Sequence, residues 1–185
     1  MYRNAFDAVL PLFVRNTFQW NSIAAGIACL APFLPGVIAP LAGWLSDKNG
    51  PKWLAFGGLF ANIPLLVSLR FVTENSIQHK VLLCALLALL GTAFAFCNTP
   101  LMAEITYVIK DISAVEPGIF GENGAFGLAY GLYTMCFALG GTVGPLWAGF
   151  VIQNVGWPTM GWSLAIFAAS GAVVILLWVG KNRTS

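Results

Sequence analysis

Charged side chains are scarce in this sequence. Asp, Glu, Lys and Arg make up 9% of its 185 residues, whereas soluble domains carry about a quarter. So few charges cannot cover a water-facing surface, which argues against a soluble globular domain. The net charge of +2 is small and scattered along the chain, so it gives no basis for a nucleic-acid partner.

Groups that perform chemistry or bind metals are also rare. The single histidine, His79, lies in a polar connector, and no Gly-x-Ser-x-Gly motif occurs. No two cysteines form a C-x-x-C pair, so we expect neither a disulfide framework nor a metal site. The sequence therefore predicts no enzyme and no cofactor. The cysteines, all within apolar runs, are Cys29, Cys84, Cys97 and Cys136.

Hydrophobic residues, by contrast, make up 58% of the chain and gather in six runs. Most runs have about 20 residues or more, enough to cross the ~30 Å of bilayer hydrocarbon as a helix. Lipid offers the backbone no hydrogen-bond partner, so these runs must be helical. The sequence predicts an all-α, polytopic membrane bundle of about six spans, with a shortened first span. The runs are 5–18, 22–45, 53–72, 81–109, 126–152 and 159–180.

Lysine and arginine accumulate on one side of this predicted bundle, and such a bias marks the cytosolic side. That side has the connectors near 46–52 and 110–125 and the tail 181–185, with five basic residues against two opposite. The bias predicts a cytosolic C-terminus. The five are Lys48, Lys52, Lys110, Lys181 and Arg183, and the two are Arg15 and Lys80. At predicted span ends, Trp20, Trp53 and Trp157 are expected to be interfacial anchors.

The most polar short stretch is GWLSDKNGPK, residues 43–52, between the second and third runs. Asp47 and Lys48 are too costly to place in lipid, so they mark the end of the second span. We expect Asp47 to accept backbone N–H groups at the start of the next helix and to pair with Lys52. An ordinary short turn with stop-transfer charge explains the same residues.

Three further residues of this stretch have predicted backbone roles. Gly50 should supply a left-handed turn, and Pro51 suits the first turn of the following helix. Gly43 should let a neighbouring helix come close, because small residues allow transmembrane helices to approach one another.

A second motif, GGTVGPLWAG at residues 140–149, leaves one helix face almost bare of side chains. Gly140, Gly144 and Gly149 favour tight helix packing, and Pro145 bends the axis. Tight helix packing alone explains the motif. A closely packed helix pair of this kind can also rock, one helix against the other, during transport. The second run offers the expected partner face, with Pro32, Pro35, Gly36, Pro40 and Gly43.

Both motifs resemble those of the Major Facilitator Superfamily. GWLSDKNGPK resembles the family's cytosolic signature loop in its second-half copy, although the usual basic residue is absent at Pro51. GGTVGPLWAG resembles the glycine-proline motif of drug/proton antiporters. NTPLMAEITYV and the run GAFGLAYGLYTMCFALGGTVGPLWAGFVIQNVGW are similar to fungal multidrug and vesicular amine transporters. The resemblance implies that 1–185 is the C-terminal six-helix half of a twelve-span transporter, hence a fragment or a truncated gene product.

The resemblance also implies a central cavity lined by the first, second, fourth and fifth runs. Asp7 is the clearest candidate there, since an ionisable group within a span suggests function by default. Phe137 matches an aromatic position of the amine site, where a ring meets a cation. Amine transporters have carboxylates where this chain has Ala95 and Thr134, which weakens the amine assignment.

Other polar residues of the fourth and fifth runs are candidates for the same cavity. Asn98, Tyr130, Tyr133 and Thr134 are polar enough to line a substrate or proton pathway. Glu104 lies nearer the cytosolic end of its run and is expected to pair with Lys110.

The resemblance implies proton-coupled efflux of small organic molecules, including cations, in the plasma membrane or a vacuolar or vesicular membrane. Its expected partners are the bilayer, substrate, protons and a missing N-terminal half. Two alternatives stay open. The chain is a non-transporting half that needs a partner chain, or it is a small transporter that dimerises with itself.

Overall fold

The computed structural model describes residues 2–21, 26–27, 30–32, 34–72, 74–115, 120 and 125–179. This part is helical, without strands, which confirms the predicted all-α class. The predicted tail 181–185 and most of the connector after 115 lie outside it. Its α-helices are α1 (Tyr2–Phe18), α2 (Ala39–Asn49), α3 (Pro51–Ser68), α4 (Ile77–Val115), α5 (Phe126–Val155) and α6 (Trp157–Trp178).

Among the described residues, four helices are long and apolar enough to cross a membrane. They are α3 extended to Phe71, α4, α5 and α6. Helix α1 has 17 residues, in line with the shortened first span. Helix α4 has 39 residues, and at ~1.5 Å per residue it is much longer than the ~30 Å hydrocarbon core.

The second run differs from the continuous helix expected over 22–45. A 3₁₀ turn, Leu34–Ile38, precedes α2, and α2 itself has only 11 residues. Pro35 and Pro40 provide the physical reason, because proline has no N–H to donate to the preceding turn. At its other end α2 continues to Asn49, four residues past the expected limit at Leu45.

Single glycines make the two tightest connections. Gly50 joins α2 to α3 with φ of +86°, and Gly156 joins α5 to α6 with φ of +95°. A side chain would strain the backbone in this region. Gly50 has the positive φ of the predicted left-handed turn, but its ψ of 146° lies outside the left-handed helical region. Pro51 begins α3 as expected.

Helix α4 packs against α3 and against the segment 34–49, while α3 also packs against α6 and α1 packs against α5. The core between them includes Leu10, Leu66, Leu83 and Leu164. These contacts leave one side of α5 without a neighbour in the described chain.

Trp157 is part of this core, so its prediction as an interfacial anchor is wrong. It is only 7% exposed. Its indole N–H donates a hydrogen bond to the Leu69 carbonyl at 3.1 Å, and its ring stacks on Phe13 with centroids 3.6 Å apart. The contacts with Phe13 and Leu69 therefore bury the start of α6 inside the bundle.

Candidate functional site

The charged connector is organised by the last turn of α2 and by α4. Asp47 accepts a hydrogen bond from the Tyr107 hydroxyl at 2.8 Å. Its expected role as a cap for α3 is wrong, since the N-cap of α3 is Gly50 and no side chain bonds there. The Lys48 ammonium lies 5.5 Å from the centre of the Trp44 ring. Asp47 therefore links the end of α2 to α4.

Gly43 lies opposite α4, but the two helices do not approach so closely there that glycine is needed. A Cβ atom at this position would lie 3.8 Å from Thr99 Cγ2, an ordinary van der Waals distance. The nearby Ser46 is fully buried, and its hydroxyl has no hydrogen-bond partner among the described residues.

The small-residue face of α5 packs on α1, so the expected partner in the second run is wrong for the described residues. Gly144 is buried, Gly140 and Pro145 are half-buried, and Gly149 has open space around it. A Cβ at Gly141 would lie 2.5 Å from Asn4 Nδ2. The second run instead packs against α4.

Asp7 lies in a narrow cleft between α1 and α4. The cleft has a cavity volume of only about 20 Å³, and Asp7 is the one ionisable residue among those that line it. Its other lining residues are Phe6, Leu10, Pro32, Leu87, Leu90, Gly91 and Phe94. A carboxylate between aromatic and aliphatic walls is suited to the cationic end of an otherwise apolar molecule.

A second, larger cleft of about 190 Å³ adjoins the first, between the second run and α4. Asn98 and Thr99 supply its polar side chains. The two clefts share Pro32, Gly91 and Phe94. A Cβ at Gly91 would collide with the Pro32 carbonyl, so only glycine permits this junction.

Hydrogen bonds connect the second cleft to α5. The Tyr133 hydroxyl donates to Asn98 Oδ1, and the Tyr130 hydroxyl lies 2.6 Å from Thr106 Oγ1. The rings of Tyr133 and Phe137 are stacked, with centroids 6.5 Å apart. One chain of polar and aromatic contacts therefore runs from the cleft along α5.

The predicted site residues thus form two groups. Asn98, Tyr133 and Phe137 are in direct succession, and Tyr130 lies one turn away from Tyr133. Asp7 joins them only through the shared wall of the clefts. Thr134 is exposed, and its hydroxyl is bonded to the Tyr130 carbonyl of its own helix at 2.8 Å. Within the described residues, no group of three His, Cys, Asp or Glu side chains is placed to hold a metal ion.

Glu104 differs from its expected role. One carboxylate oxygen, Oε2, is buried without a hydrogen-bond partner among the described residues. Lys110 is exposed and follows six residues later, which turns it ~120° away around α4. The sequence carries one indication that Glu104 is functional, because it is a carboxylate within a span.

Comparison with known proteins gives a consistent result. The sequence model of the Major Facilitator Superfamily matches residues 1–185. The chain is 31% identical to the MFS-type transporter ppzB of Metarhizium rileyi (strain RCEF 4871), over 99% of this chain and 39% of that protein. It is 29% identical to the human MFS-type transporter SLC18B1, over 96% of this chain and 40% of that protein. The chain thus spans about two fifths of these relatives. No solved structure matches it.

Proposed function

The chain belongs to the Major Facilitator Superfamily, and we propose that it forms one wall of a transporter that moves small organic molecules across a membrane. The apolar helices make it an integral membrane protein. Its relatives are named as transporters, not as enzymes.

The joined clefts are the observation that carries this proposal. Asp7 occupies one cleft and Asn98 the other, and Phe94 borders both. A small organic molecule with a cationic end at Asp7 would have its apolar part against Phe94. Asn98 and Tyr133 would then offer hydrogen bonds at its other end.

We propose that a missing N-terminal half supplies the opposite wall. Only 17% of the membrane window of α5 is buried, and this helix also presents Tyr130, Tyr133 and Phe137 (42% exposed). A polar and aromatic face of this kind suits an aqueous pathway better than lipid. The length of the relatives supports the same arrangement.

The open face of α5 also suits a second copy of this chain. A self-dimerising transporter would cover it without any other protein, whereas a chain that needs a separate half would stay inactive alone. Mass measurement in mild detergent and transport by the purified chain separate these two arrangements.

We propose that Asp7 couples transport to protons. A proton and a cationic substrate would compete for this one carboxylate, so that release of one accompanies binding of the other. Such competition yields antiport with a single titratable group, and in an efflux transporter the proton enters as the substrate leaves.

The test uses the chain co-expressed with a matching six-span N-terminal half in proteoliposomes. Uptake of ethidium, a fluorescent organic cation, is measured with and without a pH gradient. The Asp7→Asn variant should lose the gradient dependence, and Asp7→Glu should retain part of it. Asp111→Asn is the matched control, because Asp111 is exposed near the end of α4.

Two results contradict the proposal. Gradient-dependent uptake that survives Asp7→Asn would remove the coupling role from Asp7. Uptake by the purified chain alone as a monomer would remove the need for a second half.

We further propose that the connectors near 46–52 and 110–125 and the tail 181–185 are cytosolic, in the plasma membrane or a vacuolar or vesicular membrane. In a background without native cysteines, a cysteine at Ser76 should react with an impermeant thiol reagent added outside intact cells. A cysteine at Asn49 should not react, and its labelling would reverse the orientation.

A further inference from the structure

Two aromatic rings at the end of α1 hold the ammonium group of Lys80. Lys80 lies in the first turn of α4. Its Nζ atom is 5.8 Å from the centre of the Phe18 ring and 5.9 Å from the centre of the Trp20 ring. Both distances are within the ~6 Å over which a ring face attracts a cation. Lys80, Phe18 and Trp20 form a clamp, the Lys80 clamp, that ties the end of α1 to the start of α4.

The two rings of the Lys80 clamp are fixed in different ways. Phe18 is only 2% exposed, and its ring packs edge-on against Phe13 with centroids 6.0 Å apart. The Trp20 ring lies beside it, with centroids 5.7 Å apart. Between them Gln19 has φ of +53°, a conformation that few residues with a side chain adopt. Such a backbone persists where the surrounding contacts hold it, so the position of Trp20 depends on its contacts.

The Lys80 clamp lies on the same helix faces as the Asp7 cleft. Asp7 and Gly91 line the cleft from α1 and α4. Each is 11 residues from the clamp, counted from 7 to 18 and from 80 to 91. At about 100° per residue, 11 residues return to within ~20° of the same face, ~17 Å along the helix. The clamp therefore stands at one end of the interface that contains the cleft.

The interface between the clamp and Asp7 is apolar and closed. Helix α1 makes few backbone contacts with α4 and rests instead on α5. Side chains alone therefore close this part of the interface. The residues of this apolar seal, none more than 2% exposed, are Leu10 and Val14 of α1 and Leu83 and Leu87 of α4.

Pro11 divides α1 between Asp7 and the clamp. A proline within a helix removes one hydrogen bond and crowds the carbonyl four residues earlier, which here is that of Asp7. Sharp bends in helices occur mostly at such points. The outer half of α1, residues 12–18, therefore has a hinge next to the carboxylate of the cleft.

We propose that the Lys80 clamp is a latch for this outer half of α1. The closed latch and the apolar seal separate Asp7 from the side of the membrane opposite the charged connector. When Lys80 leaves the two rings, residues 12–18 turn about Pro11 and the cleft opens to that side. The inference rests on the transport function proposed above, because such an opening serves a substrate or proton bound at Asp7.

The experiment measures how often the seal opens in the purified chain. A cysteine replaces Val14 in a background without native cysteines, and its reaction with N-ethylmaleimide in mild detergent is timed by mass spectrometry. Val14 is fully buried, so this cysteine reacts only when the seal opens. Lys80→Met removes the charge and should raise the rate about fivefold, which corresponds to ~1 kcal/mol. Lys80→Arg keeps a cation for the rings and should stay within about twofold of the wild-type rate.

Two controls separate the latch from other effects. Arg15→Met removes an exposed basic residue near the same end of α1 and should leave the rate at Val14 unchanged. A cysteine at Ala55, a fully buried residue of α3, should react no faster in the Lys80→Met chain, because the rest of the fold stays closed.

Two further variants test the rings and the hinge. Trp20→Leu should raise the rate at Val14 as Lys80→Met does, and the double variant should react no faster than the faster single one, since both changes break the same contact. Pro11→Ala restores the helical hydrogen bond to Asp7, so it should lower the rate in the Lys80→Met chain.

Three results would overturn the proposal. An unchanged rate at Val14 in the Lys80→Met chain would mean that the clamp does not hold the seal. An equal increase at Ala55 would mean that Lys80 only stabilises the fold. If Pro11→Ala leaves the rate of the Lys80→Met chain unaltered, α1 does not turn about Pro11. The labelling needs no transport, so it can fail or succeed separately from the ethidium assay that tests the proposed function.

Discussion

Helices α4 and α5 are both long, apolar and interrupted by one proline, yet their surroundings differ. In the membrane window, 44% of α4 is buried and only 17% of α5. Helix α4 is surrounded by α3 and the segment 34–49, whereas α5 rests on α1 along one side. Hydropathy alone predicts a membrane span for each of them, with mean values of 2.2 for α4 and 1.6 for α5. The difference teaches that α4 holds this half together and that α5 presents its free face to something else.

The largest expected effect comes from overpacking the contact between α3 and α4, where Gly58 of α3 meets the backbone of α4. Gly58→Leu should destabilise the chain by ~3 kcal/mol or prevent its folding, because the new side chain meets the α4 backbone. Thermal unfolding in detergent measures the effect. Gly131→Leu on α5 is the control, since a Cβ there has no neighbour within 4 Å. Equal destabilisation by both variants would contradict the difference between the helices.

Two native cysteines test the same difference in burial between α4 and α5. Cys97 of α4 is buried and Cys136 of α5 is exposed. With Cys29 and Cys84 replaced by alanine, N-ethylmaleimide should modify Cys136 at least about tenfold faster, since Cys97 reacts only after local opening. Mass spectrometry of timed samples gives both rates. A matching N-terminal half should protect Cys136, and unchanged labelling in its presence would contradict the proposed interface.

The hydrogen bond between Tyr133 and Asn98 joins the two helices directly. Tyr133→Phe should lower the stability of the chain by ~1 kcal/mol, because the Asn98 oxygen loses its partner. Thr134→Val is the control on the same helix, since the Thr134 hydroxyl is bonded only within α5. If both variants unfold at the same temperature, Tyr133 contributes nothing to the joining of α4 and α5.

The smallest expected effect concerns the far end of α4. Tyr107→Phe removes the exposed hydrogen bond to Asp47. It should lower the free energy of unfolding by ~0.5 kcal/mol. Asp47→Asn keeps an acceptor for Tyr107 and should cost less. Thermal unfolding of the two variants in parallel shows which of them has lost more stability. A larger loss for Asp47→Asn would mean that the charge of Asp47, rather than its bond to Tyr107, stabilises the connector.

Much of the architecture follows from local properties of the chain. The length of an apolar run and the absence of backbone partners in lipid predict a helix wherever the run lies. Gly50 and Pro51 likewise predict their own backbone geometry, because φ preferences belong to single residues. The sequence by itself therefore determined a bundle of apolar helices, the tight turn after α2 and a carboxylate, Asp7, within a helix.

The tertiary structure decided which faces of these helices meet. Trp157 is buried because residues far away in sequence, Phe13 and Leu69, surround it. α1 rather than the second run covers the glycine face of α5. Glu104 has a buried oxygen because of its position around α4, not because of its neighbours in sequence. Helix rotation and partner choice depend on the packing of the whole bundle, and apolar faces rich in Gly, Ala and Leu encode little that distinguishes one partner from another.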